Sequence, residues 1–592
     1  MRQKTPEVAF TAAIVAATLS FPVRAADLPD PILAPGTLCA PAAGQPALLR
    51  QLILAKTETQ PFQPKPGPAQ AADAAPPLYP GLGTASFRIT TKNAQAQRYF
   101  NQGLRLSYGF NHAEAIRAFK EAQRLDPNCA MCFWGEAWAL GPNINVPMPP
   151  EAVAPAVAAA ARAKELAGGA TERERALIDA VVQRYSADPK ADRAALDAAF
   201  AAAIESAVKR FPADDTIQVL FAESLMDLQP WDYWEAAGAK PKGRATDILA
   251  ALETVLKRNP DHPGAIHLYI HAVEASTKPE KALPYARRLG ALMPGAGHVV
   301  HMPAHIYYRV GLYRESLETN RAAMVVDENY FKVSPSDPIY KGAYYPHDVH
   351  FVLVSASMGG DAKTALQAAA RLDEVIDAEF LKAVPMLQPV KAAPYFTHVL
   401  FSSPETILAI PDPGSDFALV QAMWHYARSV AFSRKKDFAA SEREIAAMAK
   451  IESTADYKPF ADWGIPAKEI IQTATFVARA RLAEGQGDLA GAAKAYEDAI
   501  FIEDSLAYTE PPYWYYPIRQ SLGSVLLRQG KLDEAEKAFR ESLARVRNNG
   551  WSLYGLTKVY EKRGDKKSLA AAKGKYAQAW FGPKAGPDLS GL

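Results

Sequence analysis

Residues 96–127, AQRYFNQGLRLSYGFNHAEAIRAFKEAQRLDP, decide the fold of this chain. Two small residues, Gly103 and Ala115, would let a pair of helices approach closely, and large residues such as Phe119 would fill the space between them. The stretch therefore predicts a helix–turn–helix hairpin.

The same stretch resembles one unit of the tetratricopeptide repeat (TPR), a helical hairpin of about 34 residues. Consensus positions 4, 8, 11, 20, 24, 27 and 32 are occupied by Tyr99, Gly103, Leu106, Ala115, Phe119, Ala122 and Pro127. Further matches follow, among them Gly487 with Ala492 and Gly523 with Phe539. Inserted segments interrupt the spacing, and no strand-like alternation competes. We therefore predict an all-α fold, an irregular TPR-type superhelical solenoid of helical hairpins over residues 85–592.

Three segments, Asp126–Gly135, Pro294–His305 and Glu510–Pro517, also resemble a group of exported bacterial TPR proteins that have no firmly established activity. This resemblance supports the predicted fold. It implies little about chemistry.

The N-terminal region has the features of an exported protein. Residues 1–25 combine basic residues, a short apolar run and a small-residue cleavage site, which together predict a signal peptide. Residues 26–84 are rich in Pro and Ala and predict a linker or an arm lying on the body. We expect a periplasmic or secreted protein whose mature chain has no membrane span.

The charges of the chain nearly balance. The 66 basic and 64 acidic residues give a net charge of +2, and no concentrated basic tract stands out. Neither a nucleic-acid partner nor an anionic membrane surface is therefore expected.

Histidines are concentrated in one part of the chain. Eight of the 11 histidines lie between His262 and His350. Pairs spaced three or four residues apart share one helix face, and neutral imidazole is a common metal ligand. The pattern favours a metal site, although a hydrogen-bonded polar groove or a pH-sensitive binding surface would also explain it.

The TPR resemblance places these histidines on a surface. It implies that positions 2, 5, 9, 12 and 13 of each first helix line the concave groove, and the candidate ligands occupy such positions in three consecutive units within residues 262–370. These candidates are His267, His271, Glu274, His298, His301, His305, His347 and His350. Glu223 occupies position 9 of the preceding unit and would flank the site. His262 comes before its helix and reads as a cap.

Several metals and functions suit this ligand set. Imidazoles with few carboxylates favour copper, with zinc or iron as alternatives. We therefore predict a metal-dependent oxidoreductase using copper or iron, or else a zinc-dependent hydrolase or a non-catalytic TPR adaptor. The ligand in the groove would be a small molecule or a peptide, and a protein partner is compatible with the fold.

Two other pairs of residues need an interpretation. Cys129 and Cys132 form a Cys-x-x-Cys pair, for which a structural disulfide is preferred over a redox-active dithiol. A bond involving Cys39 is the alternative pairing. Trp134 and Trp138 fall at groove positions of their unit and would form an aromatic wall beside the metal, although ordinary solenoid core is slightly preferred.

Overall fold

A computed structural model describes residues 75–235, 237–334 and 338–589. The predicted signal peptide, most of the Pro/Ala-rich segment and Cys39 lie outside these ranges. The predicted all-α, TPR-type fold is confirmed, because the described residues are mostly helical with almost no sheet. None of the described helices is both long enough and apolar enough to cross a membrane.

The helices of the N-terminal half are interrupted between Asp227 and Ala245 by one short β-hairpin, in which β1 (Trp234–Glu235) pairs antiparallel with β2 (Lys240–Pro241). These helices are α1 (Ala94–Tyr108), α2 (His112–Leu125), α3 (Ala130–Ala139), α4 (Pro150–Glu165), α5 (Glu172–Gln183), α6 (Arg193–Arg210), α7 (Asp215–Asp227), α8 (Ala245–Arg258), α9 (Pro263–Glu274), α10 (Leu283–Leu292), α11 (Gly297–His301), α12 (Pro303–Arg309) and α13 (Tyr313–Tyr330).

The helices of the C-terminal half follow a π-helical turn at Tyr340–Tyr344. They are α14 (Tyr345–Gly359), α15 (Ala362–Val375), α16 (Ala378–Ala383), α17 (Gln388–Phe401), α18 (Pro404–Leu408), α19 (Ala418–Arg434), α20 (Phe438–Thr454), α21 (Lys458–Ala461), α22 (Ala467–Gln486), α23 (Leu489–Glu503), α24 (Ile518–Arg528), α25 (Leu532–Arg545), α26 (Gly550–Arg563) and α27 (Lys566–Ala579). Short 3-10 turns lie at Ala167–Gly169, Pro279–Ala282 and Pro385–Leu387.

Small residues let the paired helices approach, as the sequence predicts. A Cβ atom added at Gly103 in α1 would lie 2.6 Å from the ring of Phe119 in α2. At the other end of the chain, a Cβ atom at Gly523 in α24 would lie 2.8 Å from the ring of Phe539 in α25. In both hairpins a phenylalanine ring occupies the space that a larger side chain would need.

Two hydrophobic cores meet at the histidine-bearing helices. One core includes Val299 and Met302, and the other includes Ala304 and Tyr308, so the boundary between them falls at α11 and α12. The candidate ligands on these helices are therefore surrounded by packed side chains on both sides.

The segment before α1 packs on the helices. Leu82, Phe87 and Ile89 are buried, and the Tyr79 N–H donates to Gln102 Oε1 at 2.8 Å. The described end of the Pro/Ala-rich segment therefore lies against the body.

Helices from the end of the chain contact helices from its middle. Trp551 Nε1 donates to the Ser357 carbonyl oxygen at 3.1 Å, and the Tyr313 hydroxyl donates to the Arg547 carbonyl oxygen at 2.9 Å. These contacts bring the 504–517 loop, which joins α23 to α24, close to the histidine-bearing helices.

Candidate metal centre

Four helices carry the predicted ligands. His267, His271 and Glu274 lie on α9, His298 and His301 on α11, His305 on α12, and His347 and His350 on α14. The sequence predicts a single helix through residues 298–305, but the structure divides it after Met302. Pro303 lacks an N–H donor, which explains the break at this point. The imidazoles of α11 and α12 nevertheless lie side by side.

Six of the histidines form two groups, in each of which the ligand atoms lie within 4.8 Å of one another. The first triad consists of His267, His271 and His298, and the second triad consists of His301, His305 and His347. The rings of His271 and His305, one from each triad, have centroids 5.4 Å apart. The two triads are therefore neighbours.

The ring nitrogens of the first triad point at one another. His267 Nε2 lies 3.2 Å from His271 Nε2 and 3.2 Å from His298 Nε2. Two ligands of a tetrahedral ion with metal–nitrogen bonds of about 2.0–2.1 Å are about 3.3 Å apart. The spacing of these nitrogens thus matches the edge of a tetrahedral site.

Hydrogen bonds to the other ring nitrogen set the tautomers of the first triad. His267 Nδ1 lies 2.6 Å from the Tyr108 carbonyl oxygen, and His271 Nδ1 lies 2.8 Å from Glu274 Oε1. Because these oxygens only accept, each Nδ1 must carry the proton, and each Nε2 then presents a lone pair. His298 Nδ1 has no partner among the described residues.

The second triad has the same arrangement. His305 Nδ1 lies 2.7 Å from Glu274 Oε2, and His301 Nδ1 lies 2.5 Å from Asn320 Oδ1. The Asn320 amide is oriented by its own Nδ2, which donates to the Ser316 carbonyl oxygen. Both Nε2 atoms therefore present lone pairs, yet they lie only 2.7 Å apart. Two facing lone pairs repel unless a proton or a metal ion lies between them.

Burial keeps the imidazoles neutral. The pKa values of His267, His298, His301 and His347 lie well below 6.5, first because burial disfavours the imidazolium form and then because neighbouring histidines repel its charge. Neutral imidazole is the form that binds metals, so these rings are competent ligands at neutral pH.

Phenylalanine rings cover both triads. Phe110 lies 4.3 Å from His267 and 5.5 Å from His298 between ring centroids. Phe351 lies 5.0 Å from His301, from His305 and from His347. These rings keep water away from one side of each triad, which strengthens electrostatic interactions there.

Glu274 joins the two triads. Its Oε1 accepts from His271 and its Oε2 from His305, so both carboxylate oxygens are used by imidazole N–H groups. Burial alone would raise the pKa of Glu274, but the neighbouring His305 and the two hydrogen bonds from imidazole N–H groups lower it to about 2. The structure thus favours Glu274 as an ionised acceptor that orients two ligands.

Four residues that complete this environment were not predicted from the sequence. Glu510 Oε2 lies 3.0 Å from His305 Nδ1, and the Tyr508 hydroxyl donates to Glu510 and, at 3.3 Å, to Glu274. Asn320 and Asp348 both contact His301 Nδ1. The sequence offered two signals, the adjacency of Asp348 to His347 and the place of Glu510 in the Glu510–Pro517 segment, and none for Asn320 or Tyr508.

Some predicted residues lie outside the two triads. His350 is buried against Tyr515, with ring centroids 5.1 Å apart, and its nitrogens have no partner among the described residues. Glu223 lies beside Asp227, and burial raises its pKa to about 8. Neither residue belongs to a group of converging ligands in the described part of the chain.

The remaining predicted residues have structural roles. Trp134 and Trp138 are buried and stack on each other. Cys129 and Cys132 are joined by a disulfide at the start of α3. His262 caps α9, because its side chain accepts a hydrogen bond from the Ala265 N–H.

Comparison with known proteins agrees with the architecture. A family model described as tetratricopeptide repeat matches residues 516–548, which include the predicted Gly523–Phe539 hairpin. The chain therefore contains a segment that matches the tetratricopeptide repeat, within a TPR-type helical fold. No curated protein matches this chain significantly in sequence. A TPR fold supports a role as a protein-interaction scaffold.

Solved structures of other proteins are similar to this chain at low identity. The human IFIT1 dimer with PPP-AAAA is 14% identical and covers 82% of this chain and 91% of its own, with a TM-score of 0.30. Yeast Tom70 is 11% identical and covers 80% of this chain and 90% of its own, with a TM-score of 0.27. The APC/C hetero-tetramer Cut9–Hcn1 is 12% identical and covers 79% of this chain and 77% of its own, with a TM-score of 0.30.

Proposed function

We propose that this TPR protein holds a pair of metal ions, one in each histidine triad, and is a metal-dependent oxidoreductase. The observation that carries the proposal is the contact between His301 Nε2 and His305 Nε2 at 2.7 Å. Both Nδ1 atoms are occupied by oxygen acceptors, so two lone pairs face each other in a buried site. A bound cation relieves this repulsion.

Copper is the metal that the ligands favour. Each triad offers three imidazoles, and Glu274, the carboxylate that converges with His271 and His305, is already used by two N–H groups. Nitrogen ligands without a coordinating carboxylate suit copper or zinc better than magnesium or calcium. Copper bound there would supply one-electron redox chemistry, whereas zinc would favour hydrolysis.

The residues around the triads have separate tasks in this proposal. Tyr108, Glu274 and Asn320 fix the direction of the ligand lone pairs through hydrogen bonds to Nδ1. Phe110 and Phe351 exclude water. Such supporting contacts typically change metal affinity by about 10–100-fold when they are removed.

The cellular location is part of the proposal. The basic residues, apolar run and cleavage site within residues 1–25 support export to the periplasm or beyond the cell. N-terminal sequencing of the mature protein should read from Ala26, and an intact Met1 terminus would contradict export.

Elemental analysis of untagged protein tests the centre directly. After reconstitution with copper and removal of free metal, we expect two copper ions per wild-type chain. His271→Ala should weaken the first triad and His305→Ala the second, each lowering the content to one ion or fewer. His425→Ala is the matched control, because His425 pairs with Glu444 outside the cluster.

The outcomes separate the candidate functions. No stoichiometric copper, zinc or iron in the wild-type protein would overturn the metal centre and favour a scaffold that binds protein partners, which the TPR fold supports. Retention of zinc but not copper would favour the hydrolase. Partner capture that survives chelation would point to the scaffold even if metal is present.

A further inference from the structure

A cavity of about 170 Å³ lies beside the second triad, between α12, the 504–517 loop and the end of α25. Five aromatic side chains form much of its wall: Tyr308, Tyr508, Tyr513, Trp514 and Tyr515. None of the six triad histidines lines it. A cavity of about 150 Å³ holds one benzene molecule, so this volume suits a ligand with a single ring.

One carboxylate of the wall can accept a hydrogen bond from a ligand. The Glu510 side chain is only 2% exposed, and its Oε2 accepts from His305 and from Tyr508. Both of these hydrogen bonds involve Oε2, which leaves Oε1 as the oxygen that a ligand in the cavity could use. A ligand that carries an O–H or N–H group would donate to this oxygen.

The charges around the cavity favour a neutral ligand. Two guanidinium groups, from Arg309 and Arg545, and two carboxyl groups, from Glu503 and Glu510, line the wall. Arg309 donates to the backbone oxygens of Glu274 and Ser276 rather than to a carboxylate, and it lies over the Tyr508 ring at 5.1 Å. A second cation near that ring would be repelled, and an anion would meet Glu510.

We propose that this cavity binds a neutral, single-ring aromatic molecule with one hydrogen-bond donor, of the phenol class. The ring would pack against the aromatic wall and the donor would reach Glu510 Oε1. Glu510 also contacts His305 Nδ1, so an occupant would be coupled to the second triad. This coupling, but not the binding itself, rests on the proposed metal centre.

Calorimetric titration of the full-length, metal-free protein with phenol tests the binding. Ala507→Trp places a large side chain at an exposed position of the cavity wall and should weaken phenol binding at least about 10-fold. Ala439→Trp is the matched control, because Ala439 is also exposed but lies on α20, outside the wall. It should leave the affinity unchanged.

Ligand analogues test the chemical class. Toluene lacks the donor and should bind at least about fivefold more weakly than phenol, as should the cationic benzylammonium. Equal affinity for toluene, tighter binding of benzylammonium, or phenol binding that Ala507→Trp leaves intact would overturn the proposal. Absence of phenol binding to the wild-type protein would do the same.

The metal-loaded protein tests the coupling separately. Phenol should shift the visible absorption of the copper-loaded wild type, and the shift should be lost in Glu510→Gln. A spectrum that phenol leaves unchanged, while calorimetry shows binding, would overturn the coupling alone. Failure to load any metal would overturn the proposed function and leave the calorimetric result standing.

Discussion

Glu274 is the residue through which the two triads are held together. Its two oxygens accept from His271 and His305, one imidazole from each triad. Glu274→Gln keeps the size but leaves a single oxygen, so one N–H group would face an amide NH2. We expect chelator competition to show metal affinity about 10–100-fold weaker, without unfolding.

A control separates this effect from a general loss of charge. Glu318→Gln alters a partly exposed carboxylate on α13 that pairs with Arg321, away from the imidazoles. It should bind metal as the wild type does. Equal affinity of Glu274→Gln and Glu318→Gln would show that the bridge does not orient the ligands.

Glu223, which the sequence predicts beside the site, affects how the stability of the fold depends on pH. Burial raises its pKa from 4.5 to about 8, and the charge of Asp227 adds to the increase. Below pH 4.5 the group is protonated in both folded and unfolded chains. Between pH 4.5 and about 8 only the unfolded chain loses the proton, so stability falls as pH rises.

Glu223→Gln should therefore flatten this pH dependence. Between pH 5 and pH 8, the free energy of unfolding of the variant should rise by at least about 1 kcal/mol relative to that of the wild type, since each unit of pKa difference is worth about 1.4 kcal/mol. Thermal unfolding at pH 5 and at pH 8 measures this change in stability. Glu172→Gln, at an exposed position on α5, is the control and should follow the wild-type curve. Parallel curves for wild type and Glu223→Gln would contradict the assignment.

Part of the site was predictable at the level of single residues. The His267–His271 and His301–His305 pairs are each four residues apart, and helical periodicity alone puts each pair on one face. Glu510 was not predictable in this way, because it is 205 residues from His305 and no local pattern connects them. His350 satisfied the periodicity, yet its ring packs against Tyr515.

At the scale of helices, hairpin packing was the most predictable property. Gly103 in α1 faces the ring of Phe119 in α2, where an added Cβ atom would lie 2.6 Å from the ring. Gly103→Ala should therefore overpack this hairpin and lower the free energy of unfolding by about 1–3 kcal/mol, measured by denaturant or thermal unfolding.

Gly574→Ala should raise the free energy of unfolding in the same experiment, in contrast to Gly103→Ala. Gly574 lies inside α27 with nothing within 4 Å of an added Cβ atom, so the substitution should stabilise the helix by about 0.5–1 kcal/mol. The double change Gly103→Ala with Phe119→Leu should destabilise less than the sum of its parts. Strict additivity would show that the ring does not limit this position.

The boundary within residues 298–305 was the feature that repeat reasoning could not foresee. The TPR register treats this segment as one first helix, whereas the chain forms α11 and α12 with a break after Met302. Pro303 removes the donor that would continue the helix. The imidazoles of His301 and His305 still meet, since their Nε2 atoms are 2.7 Å apart.

At the scale of the whole molecule, the candidate centre joins helices that are distant in sequence. The triads combine α9, α11, α12 and α14, and Glu510 adds the 504–517 loop. Contacts such as Trp551 with Ser357 hold the C-terminal helices against the middle of the chain. Repeat proteins otherwise depend on contacts between neighbouring units, so a shared metal centre would couple units that do not follow one another.

Hydrogen exchange should reveal this coupling. Metal that binds only the folded chain stabilises it by about 2.7 kcal/mol at a free concentration 100 times the dissociation constant. We expect copper to slow exchange in α9, α11, α12, α14 and the 504–517 loop together, and to leave α19, which carries none of these ligands, unchanged. In His305→Ala the protection of α12, α14 and the 504–517 loop should be lost, whereas His425→Ala should keep the whole pattern. Protection confined to α9 and α11 in the wild type would mean that the first triad binds metal alone and that the C-terminal loop is held by its direct contacts only.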